Sequence, residues 1–501
     1  MIDPFLSATD MLAALRIREL SAVELLEFHV QRIVRYDGAL NAVVVRDFDR
    51  ARQHALRADN QAAQGKPPPL LGLPMTIKES INVEGLHTCC GMEAARDFVS
   101  AHSGRNAERL RQAGAVIFGK TNVPVELADW QAANPVYGRT KNPYDASRTP
   151  GGSSGGSAAA LAAGLTPLEL GSDIGGSIRV PATFCGVFGH RPSETALAKS
   201  GQFPFPPAPN PYAILGVQGP MARHASDLRL AMSVLAGADI GEDRAWRLEL
   251  PEPRHTRLAD FRIAAVPLPP WAAIDPEVVA AYQALLESIR ATGVEVVEAQ
   301  PDELGDWRGF FSLYCRMLGA MLGARTPADE RARRRQAMAA ADHPIAHDLH
   351  VGMGASLADA FGWVSEREKH RAHWRSFFEA HDVLLAPSFA QPAFEHIAMD
   401  GPALSTEAAR TIIIADREVP YLEQLFFPAM PILTGQPATA FPVAPGPSGL
   451  PLGLQVIGPY LEDLTPIAFC EALQAEGLSR FVPPADFPAV ADERWAGARG
   501  E

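Results

Sequence analysis

Cysteine is scarce in this chain: five residues in 501, at positions 89, 90, 185, 315 and 470, odd in number and without a C-x-x-C pair. That excludes a disulfide framework and suits a reducing compartment, with Cys89 and Cys90 expected to pack against neighbouring loops. Long apolar runs are missing too. No segment approaches the ~18 consecutive apolar residues of a membrane span. Residues 1–4, Met-Ile-Asp-Pro, carry neither the basic flank nor the apolar core of a secretory signal. The expected location is therefore cytoplasmic, with no membrane partner. Basic residues are in the minority, 45 Lys and Arg against 58 Asp and Glu, for a net charge of −13. A nucleic-acid partner, which needs a basic surface, is excluded on that ground. The one basic cluster, Arg331 to Arg335, reads as a solvated helix face. Internal repeats and low-complexity tails are absent.

What is present is a chain able to bury a large core, 47% hydrophobic and 21% charged. Its pattern has an α/β rhythm. Residues 9–20 read as a helix, and Ser21-Ala22-Val23-Glu24 is a capping box opening a second that runs to Ile33. Residues 107–113 read as helix and 115–118 as a short strand. Residues 261–266 read as strand, and 276–292 as a helix with Val278, Tyr282, Leu285 and Ile289 on one face. Residues 294–297, 382–387 and 452–457 complete the expected strands. The fold class is α/β, a mixed β-sheet core sandwiched between helices, and one domain over residues 1–501 is the expected organisation.

Chemistry concentrates in three places. Lys78 ends the apolar run Leu71-Gly72-Leu73-Pro74-Met75-Thr76-Ile77, which reads as a strand entering a core. Burial disfavours an ammonium, lowering its pKa until the neutral amine can act as a base. Downstream stand two glycine-serine blocks, Gly151-Gly152-Ser153-Ser154-Gly155-Gly156-Ser157 and Gly171-Ser172-Asp173-Ile174-Gly175-Gly176-Ser177-Ile178-Arg179. A serine becomes nucleophilic when a neighbouring base takes its proton. Backbone N–H groups in a glycine turn can stabilise the oxyanion that follows, so Ile174, Gly175 and Gly176 form a candidate oxyanion hole. A flexible linker would not be embedded between the helix expected over 158–165 and the strand-like Leu168-Glu169-Leu170.

These blocks, with Gly119-Lys120-Thr121-Asn122 and residues 138–145, resemble the signature region of the amidase signature family of serine hydrolases. Weaker similarity at residues 217–223 and 450–458 extends the resemblance over most of the chain, apart from about 303–381. The resemblance implies the amidase signature fold, no cofactor and a Ser-cisSer-Lys triad. In that triad Ser177 is the nucleophile, Ser153 the bridging serine after a cis peptide and Lys78 the base. The two serines stand 24 residues apart, as the family pattern requires. Ser154, Asp173 and Arg179 match supporting residues, while Leu127 and Asp129 match positions near the scissile group. The implied activity is hydrolysis of linear amides, with carbamates and esters as further substrates. The expected partner is a small-molecule amide or carbamate, and the expected state a monomer or homodimer.

Two other readings compete. Gly151-Gly152-Ser153-Ser154-Gly155 satisfies G-x-S-x-G, which in an α/β-hydrolase esterase would make Ser153 the nucleophile. That elbow needs a preceding strand, and residues 142–150 read as turns. Within the resembling family, glutamine-hydrolysing amidotransferase subunits carry an Arg-Tyr-Asp-Gly-type segment that has no counterpart here. Substrate choice is expected in residues 303–381, a variable helical segment where Trp307, Phe311, Tyr314, Leu318 and Met321 recur at helical spacing. That stripe suits either a core-facing helix or the roof of an apolar pocket. The loop Gln202-Phe203-Pro204-Phe205-Pro206-Pro207 is a second candidate wall. His343, His347 and His350 share helical spacing, but Pro344 restricts His343 to a helix cap and no metal site is expected.

Overall fold

The structure, a computed structural model, describes residues 2–62, 65, 67–205, 214–341, 343–398 and 410–488. Pro206 and Pro207 of the expected wall loop lie outside the described residues. Strands Pro74–Lys78 and Leu168–Asp173 are buried at every position, as parallel strands covered on both faces must be. They run side by side and parallel, Thr76 opposite Glu169 and Ile77 opposite Leu170. Lys78 and the second glycine-serine block therefore leave the sheet at the same edge, where ligands of α/β sheets collect.

Both strands belong to one 11-stranded mixed sheet flanked by helices. Its order is Val43–Arg46, Val116–Thr121, Pro74–Lys78, Leu168–Asp173, Val217–Ala222, Phe188–Arg191, Ala438–Val443, Leu452–Ile457, Val383–Pro387, Ile263–Ala265 and Val296–Glu298. The first serine block opens helix Gly155–Ala162, every residue of which is buried. Only small side chains permit a helix so deep, and a Cβ on Gly156 would strike the backbone of Asn122. Residues 140–154 form turns and loops with one isolated bridge, Arg148 to Glu395. No strand feeds Ser153, so the hydrolase elbow is not built.

Several sequence expectations are met closely. The capping box at Ser21 and Glu24 is formed, and helix Pro276–Ala291 buries the four residues named for its inner face. The helix that the capping box opens, Ala22–Leu40, runs past Ile33, because Asn41 in the left-handed conformation supplies the exit. The first helix, Ala8–Arg16, stops before Leu20, at a positive φ on Arg18. The reading of Arg331 to Arg335 as wholly solvated is corrected. Arg334, on helix Ala328–Ala340, is buried and pairs with Glu330 and Glu126, each at 2.8 Å. Among the described residues, no helix is long and apolar enough to cross a membrane.

Helix Trp307–Arg325 carries the aromatic stripe, with Trp307, Phe311, Tyr314 and Leu318 all buried and Met321 half-buried. It lies against helix Pro344–Met353 at van der Waals closeness. A Cβ on Gly319 would meet the Leu349 carbonyl at 2.5 Å, and one on Gly352 would strike the Arg316 carbonyl. Gly352→Ala is expected to wedge the pair apart and cost about 1–3 kcal/mol. The check is a lowered urea midpoint at unchanged slope.

Candidate active site

Lys78 ends its strand with its side chain completely buried. Its Nζ lies 2.7 Å from Ser153 Oγ, 2.9 Å from Ser172 Oγ and 3.3 Å from Ser172 O. None of these partners carries charge. Burial therefore dominates and lowers the Lys78 pKa from 10.5 to about 7, against the opposing pull of Asp173, Cys90 and Glu169. A neutral amine has two N–H donors and one lone pair. The Ser172 carbonyl only accepts, and the Ser172 hydroxyl already accepts from Gln202 Nε2 at 2.8 Å. Those two oxygens suit the two donors, which leaves the lone pair for the Ser153 hydroxyl.

The neighbouring charges are neutralised elsewhere. Buried Glu169 accepts from Thr76 Oγ1, and burial raises its pKa to about 8 despite that bond. It keeps its proton at neutral pH and lends the ammonium little support. Lys120, on the adjacent strand, donates to His87 O and to Thr88 Oγ1; burial lowers it to about 8. Glu79 accepts from the Cys89 and Cys90 N–H groups and from Tyr137 Oη, so the paired cysteines do pack in a loop.

Ser153 follows a cis peptide bond from Gly152, and a Cβ on Gly152 would strike the Asp129 carbonyl. Ser154 hangs beside the same network: its Oγ lies 3.4 Å from both Ser172 O and Ser172 N. The Ser154 N–H donates to Ser177 O at 3.1 Å, which joins the two blocks through the backbone. Ser177 keeps 6% exposure, and its hydroxyl has no protein hydrogen bond among the described residues.

The turn from Asp173 to Arg179 is held by a buried ion pair. Asp173 accepts from Arg179 Nε at 3.0 Å and Nη2 at 3.1 Å, and from the Gly176 and Ile178 N–H groups at 2.9 and 3.2 Å. Burial pushes this carboxyl up, yet Arg179, Arg191 and the amides outweigh it and hold its pKa below the usual value. Arg179 continues to Gln455 Oε1 at 2.6 Å and Pro428 O at 3.0 Å. The brace corrects one expectation. The Gly176 N–H is spent on Asp173, so it is not a free oxyanion donor. The N–H groups of Ile174, Gly175 and Ser177 have no protein partner among the described residues, and Ile174 and Gly175 alone in residues 171–180 keep intermediate exposure.

Asp129 reaches the site through its carbonyl at Gly152; its carboxylate is committed to Tyr421 Oη at 2.6 Å and Arg410 Nη1 at 3.2 Å. Leu127 is half-buried at a φ of 65°. Sequence reasoning missed the roles of Ser172 and Trp130, and placed Gln202 only in a candidate wall loop. Ser172 lay inside a quoted block, whereas the reach of Gln202 to Ser172 and of Trp130 to Gly175 had no local signal. Trp130 meets Phe389 and Tyr421 at ring distances of 5.0 and 5.1 Å in a buried aromatic cluster, and its indole N–H reaches the Gly175 carbonyl. His343 caps its helix by accepting from Ala346 N, and His350 Nδ1 lies 2.9 Å from Arg335 O. Among the described residues no three His, Cys, Asp or Glu side chains are grouped to hold a metal.

Known proteins resemble this chain along most of its length. The Amidase family model matches residues 24–465. An indoleacetamide hydrolase of Bradyrhizobium diazoefficiens is 32% identical over 91% of this chain and 84% of its own. A glutamyl-tRNA(Gln) amidotransferase chain of Chromohalobacter salexigens is 30% identical over 91% of this chain and 93% of its own. A solved amidase structure, 29% identical, superposes with a TM-score of 0.74 over 94% of this chain and all of that one. With the family model spanning most of its length, this chain belongs to the Amidase family, the amidase signature hydrolases.

Proposed function

We propose that this enzyme hydrolyses the C–N bond of linear amides bearing an apolar or aromatic group, through Lys78, Ser153 and Ser177. The observation that carries the reading is the uncharged, fully buried setting of Lys78, 2.7 Å from Ser153 Oγ. Neutral Lys78 takes the Ser153 proton as Ser153 takes that of Ser177. Ser177 Oγ attacks the carbonyl carbon, and the Gly175 and Ser177 N–H groups receive the developing oxyanion. Ser153 then passes a proton to the leaving nitrogen as the C–N bond breaks, and the Lys78 ammonium returns one to Ser153. Water hydrolyses the acyl-enzyme by the same relay, so one amide and one water become one acid and one amine.

The buried aromatic cluster of Trp130, Phe389 and Tyr421 beside Gly175 gives the site apolar surroundings, which suit aryl or alkyl groups better than small polar ones. Anilides, aryl amides and carbamates fit that chemistry, and one relative is an indoleacetamide hydrolase, named for an amide joined to an aromatic ring. Turnover confined to small polar amides in a matched panel of aliphatic amides, anilides and carbamates would sink this preference. Glutamine turnover that requires copurifying partner chains would instead favour the amidotransferase reading.

Ser177→Ala is expected to abolish turnover and Lys78→Ala to reduce it at least about a thousandfold, both with an unchanged circular dichroism spectrum. An acyl adduct trapped on Ser153 in place of Ser177 would reverse the two serines' roles.

The pH dependence has a definite sign. Lys78 must be neutral to accept a proton, and its ammonium forms as pH falls below about 7. Turnover of substrate at low concentration is expected to rise with pH through about 7 to a plateau. A profile that falls across this range would contradict Lys78 as the base.

A further inference from the structure

Helix Trp307–Arg325 comes from the stretch where the chain departs from the family resemblance, yet it touches the centre of the second serine block. Tyr314 Oη donates to the Ile174 carbonyl at 2.8 Å. From the opposite side of the block, Trp130 Nε1 donates to the Gly175 carbonyl at 3.0 Å. The Gly176 carbonyl accepts from Val180 N at 2.7 Å. Three successive carbonyls are thus held by three separate elements.

In a planar trans peptide the C=O and N–H point in opposite directions, so holding the oxygen aims the hydrogen. Val180 aims the N–H of Ser177 and Trp130 that of Gly176, which reaches Asp173. Tyr314 aims the N–H of Gly175. Of these three anchors, Tyr314 alone comes from residues 303–381. Its hydroxyl lies just over Gly175, where an added Cβ would sit 3.6 Å from it and 3.2 Å from Leu425 Cδ2. The Tyr314 ring stacks on Phe311 at 6.1 Å and 13° and is completely buried, so neither ring nor hydroxyl has room to drift. Burial also pushes its pKa well up, which keeps the hydroxyl protonated.

We propose that Tyr314 is a positioning residue for the oxyanion donor at Gly175. The buried helix that bears it thereby sets transition-state stabilisation from outside the serine block. This rests on the amide-hydrolysis reading above. A shift of that helix would loosen the Gly175 N–H and lower kcat. The aim of such a group matters because oxyanion donors act through preorganised direction, and small misplacements near the reacting atoms are costly.

The test compares wild type, Tyr314→Phe and Cys315→Ala, a buried neighbour on the same helix, with a p-nitroanilide substrate and a trifluoromethyl ketone that mimics the tetrahedral adduct. Tyr314→Phe keeps the stacked ring and removes only the donor. Its kcat is expected to fall about tenfold to a hundredfold with KM within about twofold. Affinity for the ketone is expected to fall in the same ratio as kcat/KM. Cys315→Ala reports general loosening of the helix and is expected to leave ketone affinity at the wild-type level. A Tyr314→Phe enzyme with kcat within about twofold of wild type overturns the proposal. So does a lowered kcat with ketone affinity unchanged, or an equal loss of ketone affinity in Cys315→Ala. Wild-type protein inert toward the anilide and unlabelled by the ketone would instead refute the amide-hydrolysis reading itself.

Discussion

A lysine completely out of water with no anion against it is the condition on which the rest of this structure turns. Moving its pKa from 10.5 to about 7 corresponds to roughly 5 kcal/mol of preference for the neutral amine. That preference survives only if nearby carboxylates are silenced. Asp173 is silenced by a two-point pair with Arg179, and Glu169 by holding its own proton. A free carboxylate at either position would favour the Lys78 ammonium and work against its proposed use as a base. The buried ion pair is thus weak evidence of stability for its own sake. Its role is to consume a charge that the site cannot leave loose, while the same carboxylate takes up the Gly176 N–H.

Geometry follows from the same need for closeness. Lys78 and Ser172 meet because their strands are parallel neighbours ending at one edge. Ser153 meets them because the helix it precedes is made of glycine, serine, alanine and one leucine and can sink against the strands. Larger side chains in Gly155–Ala162 would lift that helix and carry Ser153 away from Nζ. Small residues here serve proximity, and the packing of the sheet sets the distances that the proton relay uses.

Much of this was readable from residue order alone, and the reason differs by level. The strand at Leu452–Ile457 and the inner face of Pro276–Ala291 are written in local periodicity and emerge as read. Lys78, Ser153 and Ser177 stand out in the sequence because special chemistry needs special composition, in this case glycine beside serine and a lysine in an apolar strand, and the fold brings Lys78 to 2.7 Å from Ser153 Oγ. Long-range hydrogen bonds were not. Gln202 reaches Ser172 across 30 positions and Tyr314 reaches Ile174 across 140, and no spacing rule encodes such a pairing. Arg334 was misread for the same cause, since its partner Glu126 lies 208 positions away. The Gly176 N–H was miscounted as free because a glycine turn announces available donors without saying which of them the fold itself will use.

The last of these cases says most about how the site is divided. Residues 171–180 carry the serine and the donors proposed for the reaction, but the side chains at 174–176 cannot orient them: glycine has none, and Ile174 is apolar. Orientation has to be imported through carbonyls, and each import comes from a different part of the chain. One comes from the helix that begins at Arg179, one from the loop bearing Trp130, and one from the buried helix bearing Tyr314. A block whose own chemistry is fixed can therefore be tuned from outside without altering it. The elements around it adjust how firmly the Gly175 N–H is aimed, while Asp173 and Arg179 keep the turn itself intact. The proposed aim of the donor at Gly175 then depends on a distant element, through the hydrogen bond from buried Tyr314 to the Ile174 carbonyl.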